Sequence, residues 1–278
     1  PQIREFPPQK PDNLPIRETV TEPYNKIRVS KPKEGSGMIQ AAEKPAKPKA
    51  SGIASVLSPD NFDKLKSIMY DKTFEKGAVL YWEGDRADKL YFVRSGLVRL
   101  TKTTEGGRSF TFHLFRDGDL FGQIDSFEDS AHIFTAEAME RTHAGVIQRK
   151  DLEILLWQHG DFAIEFVQWM GMMNRMTQMK FRDFLTFGKP GALCSLLIRL
   201  ANTYGEPDEG GLRIGIRLNH AEMADMIGAT RECVSRIFGQ LRREGAIDVK
   251  NGHIVIKNMN CLRSTCRCEF CPNEICRL

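Results

Sequence analysis

The sequence has no apolar run approaching the roughly 18 residues needed to cross a bilayer. No signal-peptide pattern stands at its start either, so a cytoplasmic protein without membrane contact is expected. Cysteine is absent before Cys194, and the seven present are an odd number on a chain with no export signal. That argues against a secreted disulfide framework and for reduced thiols or a metal site. A surplus of positive charge is missing from most of the chain. Residues 1–50 hold ten Lys/Arg and six Asp/Glu, leaving 30 of each sign (40 − 10 and 36 − 6) for the remainder. The net charge of +4 therefore comes from the first fifty residues, and any nucleic-acid surface has to be found locally. Also lacking are a phosphate loop, a nucleophile–base arrangement and a carboxylate pair in context, so an enzyme is not expected.

Proline is scarce after residue 50, with nine of the thirteen lying before it. Residues 1–53, basic and poor in large apolar side chains, cannot bury enough surface to offset their ordering entropy and are expected to be disordered. From about residue 54 the pattern changes. A short helix over SPDNFDKLKSIM, capped by Ser58 or Asp60, is followed to about Val146 by short strand-like runs between Gly77, Gly84, Gly96, Gly118 and Gly122. Regular short strands with glycine turns predict an antiparallel barrel or jelly roll over 54–148. A helix follows over 149–188, in which Phe162, Phe166, Trp169, Met173 and Met176 recur at 4-3-4-3 spacing. That is the seam of a coiled coil, or else a stripe packed on the helix's own domain. Lys180 and Asp183 continue the stripe. Lys180 can extend its stem and keep its ammonium in water; Asp183 must lie beyond the seam or be held by a partner. GKPG (188–191) reads as the helix end and a hinge.

Over 189–259, an amphipathic helix ends at Gly205, and RIGIRL and GHIVIK are strands. Between them two helices meet at Ile227-Gly228-Ala229, which predicts a winged helix-turn-helix. Thr230 then caps the second helix and Arg231, Glu232, Ser235 and Arg236 form its exposed N-terminal face. Arginine can make a bidentate contact to guanine O6 and N7, glutamate accepts from cytosine N4, and serine serves base or phosphate. Val234, Ile237 and Leu241 face inward, while Arg242 and Arg243 can reach phosphates. The fold class is thus α+β: an N-terminal antiparallel barrel, a long dimerisation helix and a winged helix-turn-helix.

The glycine-marked barrel, the long helix and TRECVSRIFGQLRREGAI resemble the CRP/FNR family of bacterial transcription regulators over residues 54–259. The resemblance implies a homodimer that reads an inverted repeat in double-stranded DNA through Arg231, Glu232, Ser235 and Arg236, with RNA polymerase as a further partner. Cyclic-AMP-binding members carry FGE and an Arg-Ser pair around the nucleotide. This chain has FGQ, with Gln123, and His132-Ile133 where the pair would fall, so no cyclic nucleotide is expected.

The remaining chemistry is in the tail, 260–278, where Cys268-x2-Cys271-x4-Cys276 places three thiolates within reach of one centre, with Cys266 and Cys261 nearby. Such spacing serves zinc or an iron–sulfur cluster equally, and a disulfide-forming thiol switch is a further alternative. CEFCPNEIC, together with GALxSxLIRLxNxYG and FRD, resembles the FNR type of Bacillus species. In that subfamily three tail cysteines and one aspartate hold a [4Fe–4S] cluster in an oxygen-responsive activator of anaerobic genes. Carried over, the ligands are Cys268, Cys271, Cys276 and Asp183. Cys266 and Cys261 are additional thiols, either of which could replace Asp183. Cys194 and Cys233, on helices, are expected to be structural.

Overall fold

The computed structural model describes residues 52–107, 109–123, 130–269 and 271–278. The expected disorder of 1–53 concerns a segment almost wholly outside the described residues. Gly52 and Ile53, however, belong to the folded body: they open a short 3-10 turn, and Ile53 is fully buried.

Helix α1 (Pro59–Ser67) begins where Ser58 accepts a hydrogen bond from the Asn61 N–H, with Pro59 at the first helical position, where its missing N–H costs nothing. Eight strands follow: β1 (Met69–Phe74), β2 (Val79–Tyr81), β3 (Lys89–Ser95), β4 (Leu97–Thr103), β5 (Ser109–Arg116), β6 (Leu120–Gly122), β7 (Thr135–Ala138) and β8 (Thr142–Gln148). They form two four-stranded antiparallel sheets, ordered β1-β8-β3-β6 and β2-β7-β4-β5. This is the jelly roll that the sequence predicts. Gly96 and Gly122 show why glycine marks its turns: each has a positive φ, and a Cβ on either would meet backbone within 3.0 Å.

The long helix differs from expectation in three ways. It is two helices, α2 (Arg149–Gln158) and α3 (Gly160–Thr186), broken at His159, whose backbone is extended. Phe162, Phe166 and Trp169 do not form an intermolecular seam. They are buried within the chain against Leu65, Leu90, Leu120 and Ile147 of the barrel. The apolar side chains that α3 leaves exposed are Ile164, Val167, Met170, Phe181 and Leu185. A helix with two apolar faces satisfies the same periodicity twice, and here the bulky aromatics went inward. Finally, GKPG is the first turn of the next helix, α4 (Gly188–Tyr204), rather than a hinge loop. The direction changes at Phe187 and at Gly188, whose φ is +59°. Pro190 sits in the first turn, where proline is tolerated.

Beyond α4 lie β9 (Gly205–Asp208), β10 (Gly211–Ile214), α5 (His220–Ile227), α6 (Arg231–Arg243), β11 (Ile247–Lys250), β12 (His253–Ile256) and α7 (Met259–Thr265). Strands pair in the order β11-β12-β10-β9, and α4, α5, α6 and α7 enclose one core with Leu193, Leu197, Ile227, Val234 and Leu262 at its centre. Among the described residues no helix is long and apolar enough to cross a membrane.

Candidate nucleic-acid interface and cysteine centre

The two helices that meet at Gly228 are set by local capping. Asn219 caps α5 in a reciprocal box, its side chain accepting from the Ala221 and Glu222 N–H groups while Glu222 accepts from the Asn219 N–H. Gly228 ends the helix in the left-handed conformation, φ +60°, which a β-carbon would strain. Thr230 Oγ1 then accepts from the Cys233 N–H at 3.2 Å and starts α6. Val234, Ile237 and Leu241 are buried, which turns Arg231, Glu232, Ser235 and Arg236 outward. These four side chains together line one solvent-facing depression of about 460 Å³. Among the described residues, none of the four spends its side chain on a hydrogen bond within the chain. Arg242 is turned toward Asp248, at 3.4 Å.

In the barrel, a cavity of about 350 Å³ is walled by Phe112, Phe115, Phe121, Phe134 and Trp169. Gln123 donates to Ser130 Oγ at 2.9 Å. His132 stacks on Tyr81 with ring centroids 3.6 Å apart, and burial lowers its pKa. Among the described residues no guanidinium lines this cavity.

The tail folds back between the two halves of the molecule. Its backbone is held by Arg199 Nη1 donating to the Ile275 carbonyl at 3.3 Å, Asn202 Nδ2 to the Cys276 carbonyl at 2.6 Å, and the Leu278 N–H to Thr203 Oγ1 at 3.1 Å. Arg277 reaches Asp119, in the turn between β5 and β6, at 2.7 Å, and both side chains are buried. Asp183, 4% exposed, faces the same region. Its carboxylate accepts from Ser195 Oγ at 2.5 Å, from Arg199 Nη2 at 2.9 Å and from Arg182 Nη2 at 2.9 Å. Arg182 also pairs with Glu269 of the tail at 2.7 Å. Two arginines therefore bridge the end of α3 to the cysteine segment. Reasoning from the sequence left Asp183 without a partner in the chain and did not find Arg199. The signal was present: Arg199 is the one charge inside the apolar run LCSLLIRLA.

The thiols occupy one neighbourhood. Cys271 and Cys276 share a hydrogen bond, and burial pushes the Cys276 thiol up to about 12. Cys268 lies within electrostatic reach of both Cys276 and Cys266. Burial likewise raises Cys266, 3% exposed, to about 11, with Cys268 and Asp183 adding to it. Cys266 caps α7 and packs into the core near Cys194. Cys261 is turned to Glu244, its Sγ 3.8 Å from Oε2. Among the described residues no three His, Cys, Asp or Glu side chains already converge on one metal-sized point. The donors still suit an iron–sulfur group by their chemistry: soft thiols, one carboxylate, and Arg182, Arg199 and Arg277 close by to offset an anionic centre. Binding there would oblige Asp183 to give up part of its present pairing and the buried thiols to lose their protons.

Lys180 departs from expectation. The residue is half-buried, and its ammonium, expected in water, is bonded to His113 Nδ1 at 2.5 Å.

Comparison with known proteins adds the following. Residues 71–159 match the cyclic nucleotide-binding domain family, and residues 191–265 match the Crp-like helix-turn-helix domain family. The chain is 36% identical over 227 residues to the anaerobic regulatory protein of Bacillus subtilis (strain 168), spanning 81% of this chain and 95% of that one. It is 27% identical over 189 residues to the global nitrogen regulator of Synechocystis sp., spanning 67% and 84%. The structure of FixK2 from Bradyrhizobium japonicum superimposes with a TM-score of 0.62 at 22% identity, covering 71% of this chain and 97% of that one, a likeness of fold.

Proposed function

The chain belongs to the CRP/FNR family of DNA-binding transcription regulators, which are not enzymes, and from that premise we propose that it is an oxygen-responsive activator of anaerobic genes. It works as a homodimer on an inverted-repeat operator and recruits RNA polymerase. Its oxygen-labile ligand is a [4Fe–4S] cluster on Cys268, Cys271, Cys276 and Asp183. The observation that carries this reading is the folding of the cysteine segment onto the Asp183 end of α3 through Arg182 and Arg199. The anaerobic function in the name of the Bacillus subtilis relative points the same way.

Bound there, the cluster would supply a tie between tail and helix that oxygen can dismantle. The rest is the work of this chain. Ile164, Val167, Phe181 and Leu185, exposed on α3, are the face that a second copy covers. The Phe187–Gly188 joint lets α4 and the DNA-binding domain swing against α3. Bonds from both sides of that joint to one tail restrict the swing, so two α6 helices can be held about 34 Å apart, one turn of the duplex. Arg231 and Arg236 then read guanines, with Glu232 and Ser235 beside them.

The test is purification without oxygen, with iron, acid-labile sulfide and zinc measured on one sample. About four irons and four sulfides per chain are expected. Stoichiometric zinc without iron or sulfide would sink the oxygen-sensing reading and leave a zinc-stabilised regulator. Asp183→Ala should lower the cluster content, and unchanged content would assign the fourth ligand to Cys266 or Cys261.

A further inference from the structure

The outer face of α3 carries a second periodic stripe, opposite the one that enters the barrel. Ile164, Val167, Gly171, Asn174, Gln178, Phe181 and Leu185 follow one another at 3-4-3-4-3-4 spacing, and all are exposed. Phe162, Phe166, Trp169 and Met176, about 200° around the helix, are buried in the chain's own core. Alternating steps of three and four residues make a coiled-coil seam. From Ile164 to Leu185 it runs about 32 Å.

The two ends of this seam are apolar and its middle is not. Ile164 and Val167 form one end and Phe181 and Leu185 the other, between 62% and 69% exposed. Between them Gly171 brings no side chain, and Asn174 and Gln178 bring amides. Among the described residues neither amide makes a hydrogen bond within the chain, whereas Thr177 beside them returns its hydroxyl to the Met173 carbonyl at 3.1 Å. An amide carries both donors and an acceptor, so it complements a second copy of itself across a two-fold axis. The positions that flank the seam cannot choose a register. In a parallel pair Ala163, Met170 and Thr177 come opposite Gln168, Arg175 and Arg182, which allows no ion pair.

We propose that Asn174 and Gln178 each meet their counterpart in a second copy of this chain, and that these two amide layers fix the register of the homodimer while lowering its affinity. The pairing presupposes the homodimer proposed above. In register, apolar layers meet apolar layers and amides meet amides. A slip of one heptad sets Asn174 against Val167 on one side and Phe181 on the other, and leaves buried amides unpaired. The same slip offsets the two Phe187–Gly188 joints by about 10 Å along the axis. The two α6 helices would then no longer match half-sites one turn of duplex apart.

Charge exchange at position 174 tests the pairing on the full-length chain by sedimentation equilibrium. Asn174→Asp and Asn174→Lys each set like charges face to face, and each alone should raise the dimer dissociation constant at least tenfold. An equimolar mixture should return it close to the parent value, because a carboxylate then faces an ammonium. Asn174→Leu should lower it at least tenfold, since an apolar layer replaces an amide layer. Position 174 is exposed in the single chain, so circular dichroism should show every variant folded. A charged variant that dimerises like the parent, a mixture that does not recover, or an Asn174→Leu dimer no tighter than the parent overturns the proposal. With a dimeric parent those results remove the amide pairing alone; a monomeric parent removes the homodimer reading with it.

Discussion

Replacing Asp183 by asparagine in iron-free protein tests the bridge between α3 and the tail without involving any metal. Asp183 and Arg199 are 4% and 3% exposed, and their 2.9 Å contact is the only carboxylate contact of Arg199 among the described residues. The other bond of Arg199, to the Ile275 carbonyl, is longer at 3.3 Å. Asparagine offers one acceptor and no charge to three donors, Ser195, Arg182 and Arg199. Arg182 is partly exposed and has Glu269 in reserve, so most of the cost falls on Arg199. Stranding a buried charge in this way costs about 3–5 kcal/mol. For a fold of this size that is a fall in Tm of about 6–20 °C by calorimetry. Removing both charges, as Asp183→Leu with Arg199→Leu, should restore most of the loss, because an apolar pair of similar volume replaces a buried ion pair at little cost. A single Asp183→Asn variant melting within about 2 °C of the parent would refute the reasoning, since Arg199 would then not depend on Asp183.

The two faces of α3 should separate in solution. Val167→Arg on the exposed face should yield folded monomers by light scattering, whereas Phe166→Ala should cost about 3–5 kcal/mol and leave dimerisation intact. On α6, Arg231→Ala or Arg236→Ala should each weaken specific DNA binding by about 1–3 kcal/mol, measured by anisotropy, and relax the preference at one base pair. Lys180 makes a pH prediction. Between the unfolded pKa of 10.5 and the folded value of about 7, the unfolded chain binds a proton that the folded chain lacks. The parent therefore loses stability as the pH falls through that window. Lys180→Met has no such loss, so its advantage in chemical denaturation should grow from pH 10 to pH 7 and level off below. A constant difference would show that Lys180 does not titrate in this range.

Local chemistry was readable in the sequence and long-range pairing was not. Gly228, Thr230 and the inward trio Val234, Ile237 and Leu241 locate the recognition helix because caps and 3.6-residue periodicity act over a few residues. The barrel glycines mark turns for the same reason. Periodicity could not say which apolar face of α3 the barrel would take: it left Phe162 and Phe166 to a partner helix or to their own domain, and the fold gives them to the barrel. It also left Lys180 in water, because nothing near it in sequence announces His113, 67 residues away. Arg277 and Asp119 are 158 residues apart, and neither stretch carries a pattern that points to the other. The cysteine spacing was plain from the start. What the fold adds is the company those thiols keep, arginines that join the tail to the end of α3.

The central claim is that the state of the tail sets the grip on DNA, and one titration addresses it most directly. Protein prepared without oxygen is measured against an inverted-repeat duplex, then exposed to air and measured again, with iron content and oligomeric state recorded at each point. The account predicts that affinity falls at least tenfold in step with iron loss while the protein stays folded and dimeric. Unchanged affinity after complete loss of iron, or DNA binding that never required iron, would contradict it.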